Sequence, residues 1–270
     1  MKFCICSETF EGWGLGDIFK FAAETGYQAV EVAPFAFCDS VAELTREERE
    51  RIRRSVEEAG IEIAGLHYLL RSPAGLHLTG PDPEIRLRTR QYLRELVHFC
   101  ADIGGKVMVM GSPPQRNVVE GVSYEEAWRF ARDAFKECSE LARHHGVTLC
   151  IEPLCHEMTN FINTTEEAMK MVEEVGHPNF RWILDTYSMN CQGVDIVQAI
   201  EKFQGHLAHV HVNDDNKSWP GSGGIDFRSI AEALRDKDYE GYISVEVFDF
   251  EPDPETITRE AIKYLNSVFA

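Results

Sequence analysis

Short apolar runs alternate with longer amphipathic ones from one end of the chain to the other. Residues 2–7, 29–34, 61–67, 106–111, 147–152, 180–185, 207–212 and 241–247 are dominated by Val, Ile, Leu, Cys and Phe, and read as strands. Residues 15–26, 45–60, 82–104, 123–146, 164–176, 195–203, 226–237 and 254–269 read as helices. The helix over 82–104 shows the reason, with Leu93, Leu96, Val97 and Cys100 on one stripe. Thr45 with Glu48, and Ser123 with Glu126, have the spacing of a capping box, and Gly26 and Gly60 stand where helices stop.

Strand followed by helix, repeated to the end without a Gly/Ser linker, argues for parallel strands joined by right-handed crossovers. An open doubly wound sheet competes with a closed barrel. The repeat count of about eight selects the barrel, and no GxGxxG follows the first strand. The expected fold is a single (β/α)8 TIM barrel over residues 1–270.

The run "LAHVHV" adds chemistry to this pattern. Residues two apart in a strand share a face, so His209 and His211 point one way and Val210 and Val212 the other. In a closed barrel the active site lies at the C-terminal ends of the strands. Four consecutive strands place an ionisable residue there: "TLCI" before Glu152, "RWIL" before Asp185, "AHV" before His211 and "ISV" before Glu246. Closing the barrel brings these ends to one rim. Three carboxylates and an imidazole suit a hard divalent ion, Mn2+, Mg2+ or Co2+, more than a thiolate zinc site. Without a cation, three crowded carboxylates would repel one another. Four separate solvated or paired strand ends are the bland alternative.

Other residues have two readings each. His209 either orients a ligand carboxylate or is a hydrogen-bonded core histidine. His67, ending "IEIAGLH", and Glu31, in "VEVAP", either touch a substrate hydroxyl or make local hydrogen bonds at the rim. Trp13 and Phe10 either stack on a sugar face or pack as core or lid. The loop "NKSWPGSGG" either forms an anion nest beside Lys217 or simply carries Lys217 over the site.

Composition narrows the class. The formal net charge is −18, from 45 acidic against 27 basic residues. A duplex-binding surface needs a basic footprint, so nucleic acid is not an expected partner. No apolar run is long enough to span a bilayer, and the N-terminus reads as a first strand instead of a signal peptide. The eight cysteines form no CxxC pair and are expected as free thiols in a cytoplasmic protein.

Several motifs together resemble a known family. They are "IEPL" with Asn163 and Thr164 further on, "LDT" with Asn190, "HVHVND" followed by "PGSGG" and "DF", and "ISVEVF". The chain resembles the sugar isomerase/epimerase superfamily of xylose-isomerase-like barrels, nearest to ketose 3-epimerases of the D-tagatose and D-psicose type. The resemblance implies one divalent ion, often manganese, held by Glu152, Asp185, His211 and Glu246, with Glu152 and Glu246 as the acid/base pair. Three positions depart from the ketose epimerase pattern. Ser188 stands where a histidine is usual, Lys217 where an arginine is usual, and "CHEM" (155–158) where an asparagine- and arginine-rich segment ends in a glutamate. Such positions usually contact substrate hydroxyls.

The expected activity is epimerisation next to a ketone through an enediolate, with a small sugar or keto-polyol as substrate. The rivals are a lyase acting on a keto-polyol or 3-keto-glycoside, an aldose–ketose isomerase, and a non-catalytic sugar-binding barrel. Such barrels often pair through surface helices, so a homo-oligomer is an option, although no helix shows an apolar patch beyond its core stripe.

Overall fold

The computed structural model of the chain describes residues 1–269. Its strands are β1 (Lys2–Cys6), β2 (Ala29–Val32), β3 (Glu62–Leu66), β4 (Val107–Met110), β5 (Thr148–Ile151), β6 (Phe180–Asp185), β7 (Leu207–Val212) and β8 (Tyr242–Val245). They pair in sequence order, all parallel, and β8 pairs with β1 to close the barrel. The helices are α1 (Leu15–Thr25), α2 (Arg46–Ala59), α3 (Pro83–Asp102), α4 (Pro113–Arg116), α5 (Tyr124–His145), α6 (Thr165–Val175), α7 (Thr186–Cys191), α8 (Ile196–Phe203), α9 (Phe227–Asp236) and α10 (Pro254–Val268). The barrel expected from the strand–helix repeat is therefore present, with two short additions, α4 and α7, after β4 and β6.

Local sequence chemistry sets the helix ends. Thr45 and Glu48 cap α2 reciprocally, as do Ser123 and Glu126 on α5, and Thr164 and Glu167 on α6. Gly26, Gly60, Gly146 and Gly176 end their helices in the left-handed conformation, which costs glycine no steric penalty.

The alternation in β7 sorts its side chains as the period of two requires. Val210 and Val212 belong to the large apolar layer shared with the helices. His209 and His211 face the lumen, where both reach Glu31 of β2 across the barrel. Deeper in the lumen the filling is small and apolar: Cys4, Ala29 and Ala64 form one cluster, and Val107, Val109, Cys150 and Ile183 another. Glycine is required at Gly65, where a Cβ would collide with the Val107 carbonyl of the neighbouring strand. All eight cysteines are free. Among the described residues, no helix is long and apolar enough to cross a membrane.

Candidate metal centre

Four side chains converge at the C-terminal mouth of the barrel. Glu152 directly follows β5, Asp185 closes β6, His211 is next to last in β7, and Glu246 directly follows β8. One ligand atom from each lies within 4.8 Å of all the others. None is more than 4 % exposed, so water cannot balance their charge. His211 Nδ1 lies 3.0 Å from Glu246 Oε2 and 3.3 Å from Glu152 Oε1. The four sequence-predicted ligands are thus brought together.

This donor set fits a divalent cation. His211 Nδ1 and Glu152 Oε1 are buried and make no hydrogen bond within the protein, which is costly for polar atoms unless another partner takes them. Burial and the adjacent Glu152 and Glu246 push the Asp185 carboxyl up to about 7, against the opposite pull of His211. Burial alone would lower His211, yet Glu31 and Glu246 hold it well above the usual imidazole range. Burial would raise Glu246, but His211 and His67 bring it down to about 2. The protein is electrostatically unbalanced here, and a cation among three carboxylates removes the imbalance. The other three clusters of possible ligands among the described residues each share a residue with this one.

The ligands are held from behind. Asp185 Oδ1 accepts from the Ser188 backbone N–H at 2.6 Å, and Oδ2 accepts from Asn213 Nδ2 at 2.9 Å. Asn213 is itself fixed, its Oδ1 accepting from Thr186 Oγ1 and the Tyr187 amide. The fully buried Arg116 donates to the Glu152 carbonyl at 2.7 Å and the Met110 carbonyl at 3.1 Å, pinning the ends of β4 and β5. Gly111 leaves room for the Glu152 carboxylate, because a Cβ there would collide with Oε2.

Glu31 departs from its rim reading. It is fully buried beneath the ligands, and its Oε2 accepts from His209 Nε2 at 2.7 Å, Ser244 Oγ at 2.7 Å and His211 Nε2 at 3.1 Å. It sits one residue short of the end of β2 and faces inward, so it meets the back of His211 instead of the mouth. Burial would raise its pKa, but the two imidazoles hold it well below the carboxylate range. His209 accordingly touches Glu31 and not a ligand carboxylate, and it meets the ring of His211 both through Glu31 and directly, edge-on, with ring centroids 5.1 Å apart.

His67 does reach the centre. Its Nδ1 is 3.3 Å from Glu246 Oε1 and its Nε2 is 2.8 Å from Glu8 Oε2. Burial would lower it, but Glu8 and Glu246 raise it to about 10. Ser188 is buried in the first turn of α7, with Oγ 3.9 Å from Met158 Sδ. Lys217 is exposed, its ammonium 5.7 Å from the centre of the Tyr187 ring. Three amides of its loop have partners within the loop, its own carboxylates: Gly221 and Ile225 donate to Asp214, and Gly224 to Asp215. Trp13 packs on Phe10 and Phe21, and lines a cavity of about 490 Å³ beside the centre.

Reading the sequence left out Glu8, Arg116 and Asn213 as individual site residues. Asn213 carried a signal, because it continues "HVHV" in the motif that held the family resemblance. Glu8 and Arg116 carried none beyond following a strand.

Residues 19–268 match the model of the xylose isomerase-like TIM barrel family. The chain belongs to that family. A probable ketose 3-epimerase of Synechocystis sp. is 23 % identical over 93 % of this chain and 90 % of its own length. The 3-dehydro-D-guloside 4-epimerase of Escherichia coli is 22 % identical over 99 % of this chain and the whole of its own. The crystal structure of D-psicose 3-epimerase with D-tagatose from Clostridium cellulolyticum H10 superposes with a TM-score of 0.85 at 21 % identity, covering 100 % of this chain and 99 % of the other. The fold and family expected from the motifs hold, and so does the expectation of an enzyme of the isomerase class.

Proposed function

We propose that this chain is a divalent-metal-dependent epimerase acting on the carbon next to a ketone in a sugar. The observation that carries this reading is the placing of Glu152 and Glu246. Both carboxylates approach His211 Nδ1, yet they come from β5 and β8, three strands apart around the barrel. A substrate carbon held between them meets one carboxylate on each side, as inversion requires.

In this scheme one glutamate removes the proton next to the ketone, and the other returns a proton to the opposite face, passing through an enediolate. Glu152, Asp185, His211 and Glu246 would hold a divalent ion, Mn2+ by preference for an O3N set, which would supply Lewis-acid chemistry when bound. Asp185 is oriented by Ser188 and Asn213 and does not reach for the proton. His67 meets Glu246 at Oε1, while His211 meets it at Oε2. The walls of Tyr68, Leu154 and Phe248 keep water from the reacting carbon. The names of the two relatives described above, epimerases of a ketose and of a keto-glycoside, support this reading, and the free thiols agree with a reducing cytoplasm.

The test is incubation of the Mn2+-loaded protein in D2O with a panel of ketoses, keto-inositols and keto-glycosides. Deuterium should enter at the carbon next to the ketone, and the epimer should accumulate. Deuterium uptake with loss of water or of an aglycone assigns a lyase instead. Sugar binding with no uptake on any member of the panel rejects catalysis.

A further inference from the structure

Glu246 and Glu152 are held differently at the mouth of the barrel. Both carboxylates approach His211 Nδ1, at 3.0 Å and 3.3 Å. Among the described residues, His211 is the one basic side chain at ion-pair distance from Glu152. Glu246 has a second, because its Oε1 lies 3.3 Å from His67 Nδ1. Each oxygen of Glu246 therefore meets its own imidazole, and Glu152 has one imidazole in all.

The other nitrogen of His67 is occupied too. His67 Nε2 lies 2.8 Å from Glu8 Oε2. Glu8 is 8 % exposed, and neither of its oxygens makes a hydrogen bond among the described residues, which leaves the close pairing with His67 to balance its charge. Burying a carboxylate costs free energy that one such pairing offsets only in part, so the fold gives up stability to keep Glu8 beside His67.

The backbone leaves the pair little freedom. Ser7 Oγ accepts from the Ala33 amide at 2.9 Å and ties the turn Ser7–Thr9, after β1, to the end of β2. The His67 amide donates to the Val32 carbonyl at 3.1 Å and continues the pairing of β3 with β2. The His67 ring packs edge-on against His211, with centroids 5.8 Å apart, and lies 5.0 Å from the Tyr68 ring. Glu8, His67 and Glu246 thus form a row of three buried groups that starts at the wall of the large cavity and ends at the centre.

With Nε2 on Glu8 and Nδ1 on Glu246, His67 has no ring nitrogen left for a substrate hydroxyl. We propose that Glu8 is a positioning residue: it fixes the His67 ring, and the ring fixes the Glu246 carboxylate for proton transfer on one face of the substrate. This rests on the epimerase reading above, in which Glu152 serves the opposite face. The consequence is one-sided. Without Glu8 the transfer at Glu246 suffers, the transfer at Glu152 does not, and Glu246 keeps Oε2 toward His211 and the cation site.

The test incubates Mn2+-loaded protein in D2O with both members of two epimer pairs, D-fructose with D-psicose and D-tagatose with D-sorbose. Wild type should place deuterium in both members of a pair. Glu8→Leu should retain uptake into one member, and should lower uptake into the other, together with kcat for inversion, by about 10–100-fold, the scale of a misplaced catalytic group. KM and the calorimetric Mn2+ affinity should stay within about threefold of wild type, as for an interaction made only in the transition state. Glu8→Gln keeps an acceptor beside Nε2 and should recover most of kcat. His67→Phe keeps a ring, removes both nitrogens and should repeat the one-sided loss from another strand. Unchanged kcat in Glu8→Leu and His67→Phe, or equal loss of uptake into both members, overturns the positioning role, and wild-type uptake beside that result leaves the epimerase standing. No uptake by wild type on these four sugars or on the wider panel rejects the epimerase and the positioning role together.

Discussion

Glu31 Oε2 lies 3.1 Å from His211 Nε2, on the far side of the ring from the carboxylates of Glu152 and Glu246. A histidine whose second nitrogen donates to a carboxylate is fixed in tautomer and orientation, and its metal-facing nitrogen becomes a better donor. Glu31 itself is held by His209 and Ser244. One buried carboxylate therefore joins β2, β7 and β8 beneath the centre.

Glu31→Gln keeps the shape and removes the charge. Mn2+ affinity should fall by about 10–100-fold, as is usual when the partner of a ligating histidine is changed. Calorimetric titration of the metal into both proteins measures this. Unchanged affinity would mean that Glu31 serves packing alone.

Gly111→Ala should damage the centre from the other side. The added Cβ meets Glu152 Oε2, while the backbone there needs no left-handed conformation, so the fold should tolerate the change. Metal affinity should drop by roughly tenfold or more, a loss of at least ~1.4 kcal/mol. The melting temperature of the metal-free protein should change little. A large drop in that temperature, with metal affinity kept, would contradict this account of the glycine.

Arg116→Met removes a buried cation that satisfies the Met110 and Glu152 carbonyls. Leaving buried acceptors unpaired costs about 1–3 kcal/mol each, so the unfolding free energy should fall by roughly 2–6 kcal/mol. Urea denaturation of the metal-free proteins reads it. A loss below about 1 kcal/mol would show that water replaces the guanidinium.

Asp185 makes the metal-free protein sensitive to pH. Its folded pKa is raised to about 7, so the folded state keeps a proton that the unfolded chain loses near its ordinary value of 3.8. The corresponding stability is fully present below about pH 4 and is lost as pH rises through about 7. Metal binding must displace this proton, so affinity should climb with pH up to about 7 and then flatten where Asp185 is concerned. Titrations in buffers of different ionisation enthalpy count the protons released. Asp185→Asn should release fewer than wild type, and equal counts would exclude Asp185 as their source.

The barrel and its four convergent residues were legible because each rests on a short-range rule. Alternation in "LAHVHV" separates His211 from Val210 within six residues, and each ligand type marks the end of its own strand. Glu31 was misplaced because its partners are 178 and 180 residues away, and only barrel closure brings β2 against β7 across the lumen. Glu8 beside His67 and Arg116 under Glu152 are long-range pairs of the same kind. The helix α7 escaped notice because "TYSMNC" is too short to show a period, and its start is set by the Asp185 carboxylate. Lys217 sits in a loop that Asp214 folds inward, a contact that composition does not reveal.

Diffraction from Mn2+-soaked crystals, recorded at the manganese absorption edge, tests the centre most directly. A single anomalous peak should lie about 2.0–2.4 Å from Glu152, Asp185, His211 Nδ1 and Glu246. A peak that omits one of these four, or the absence of any peak among them at saturating Mn2+, would contradict the shared cation site.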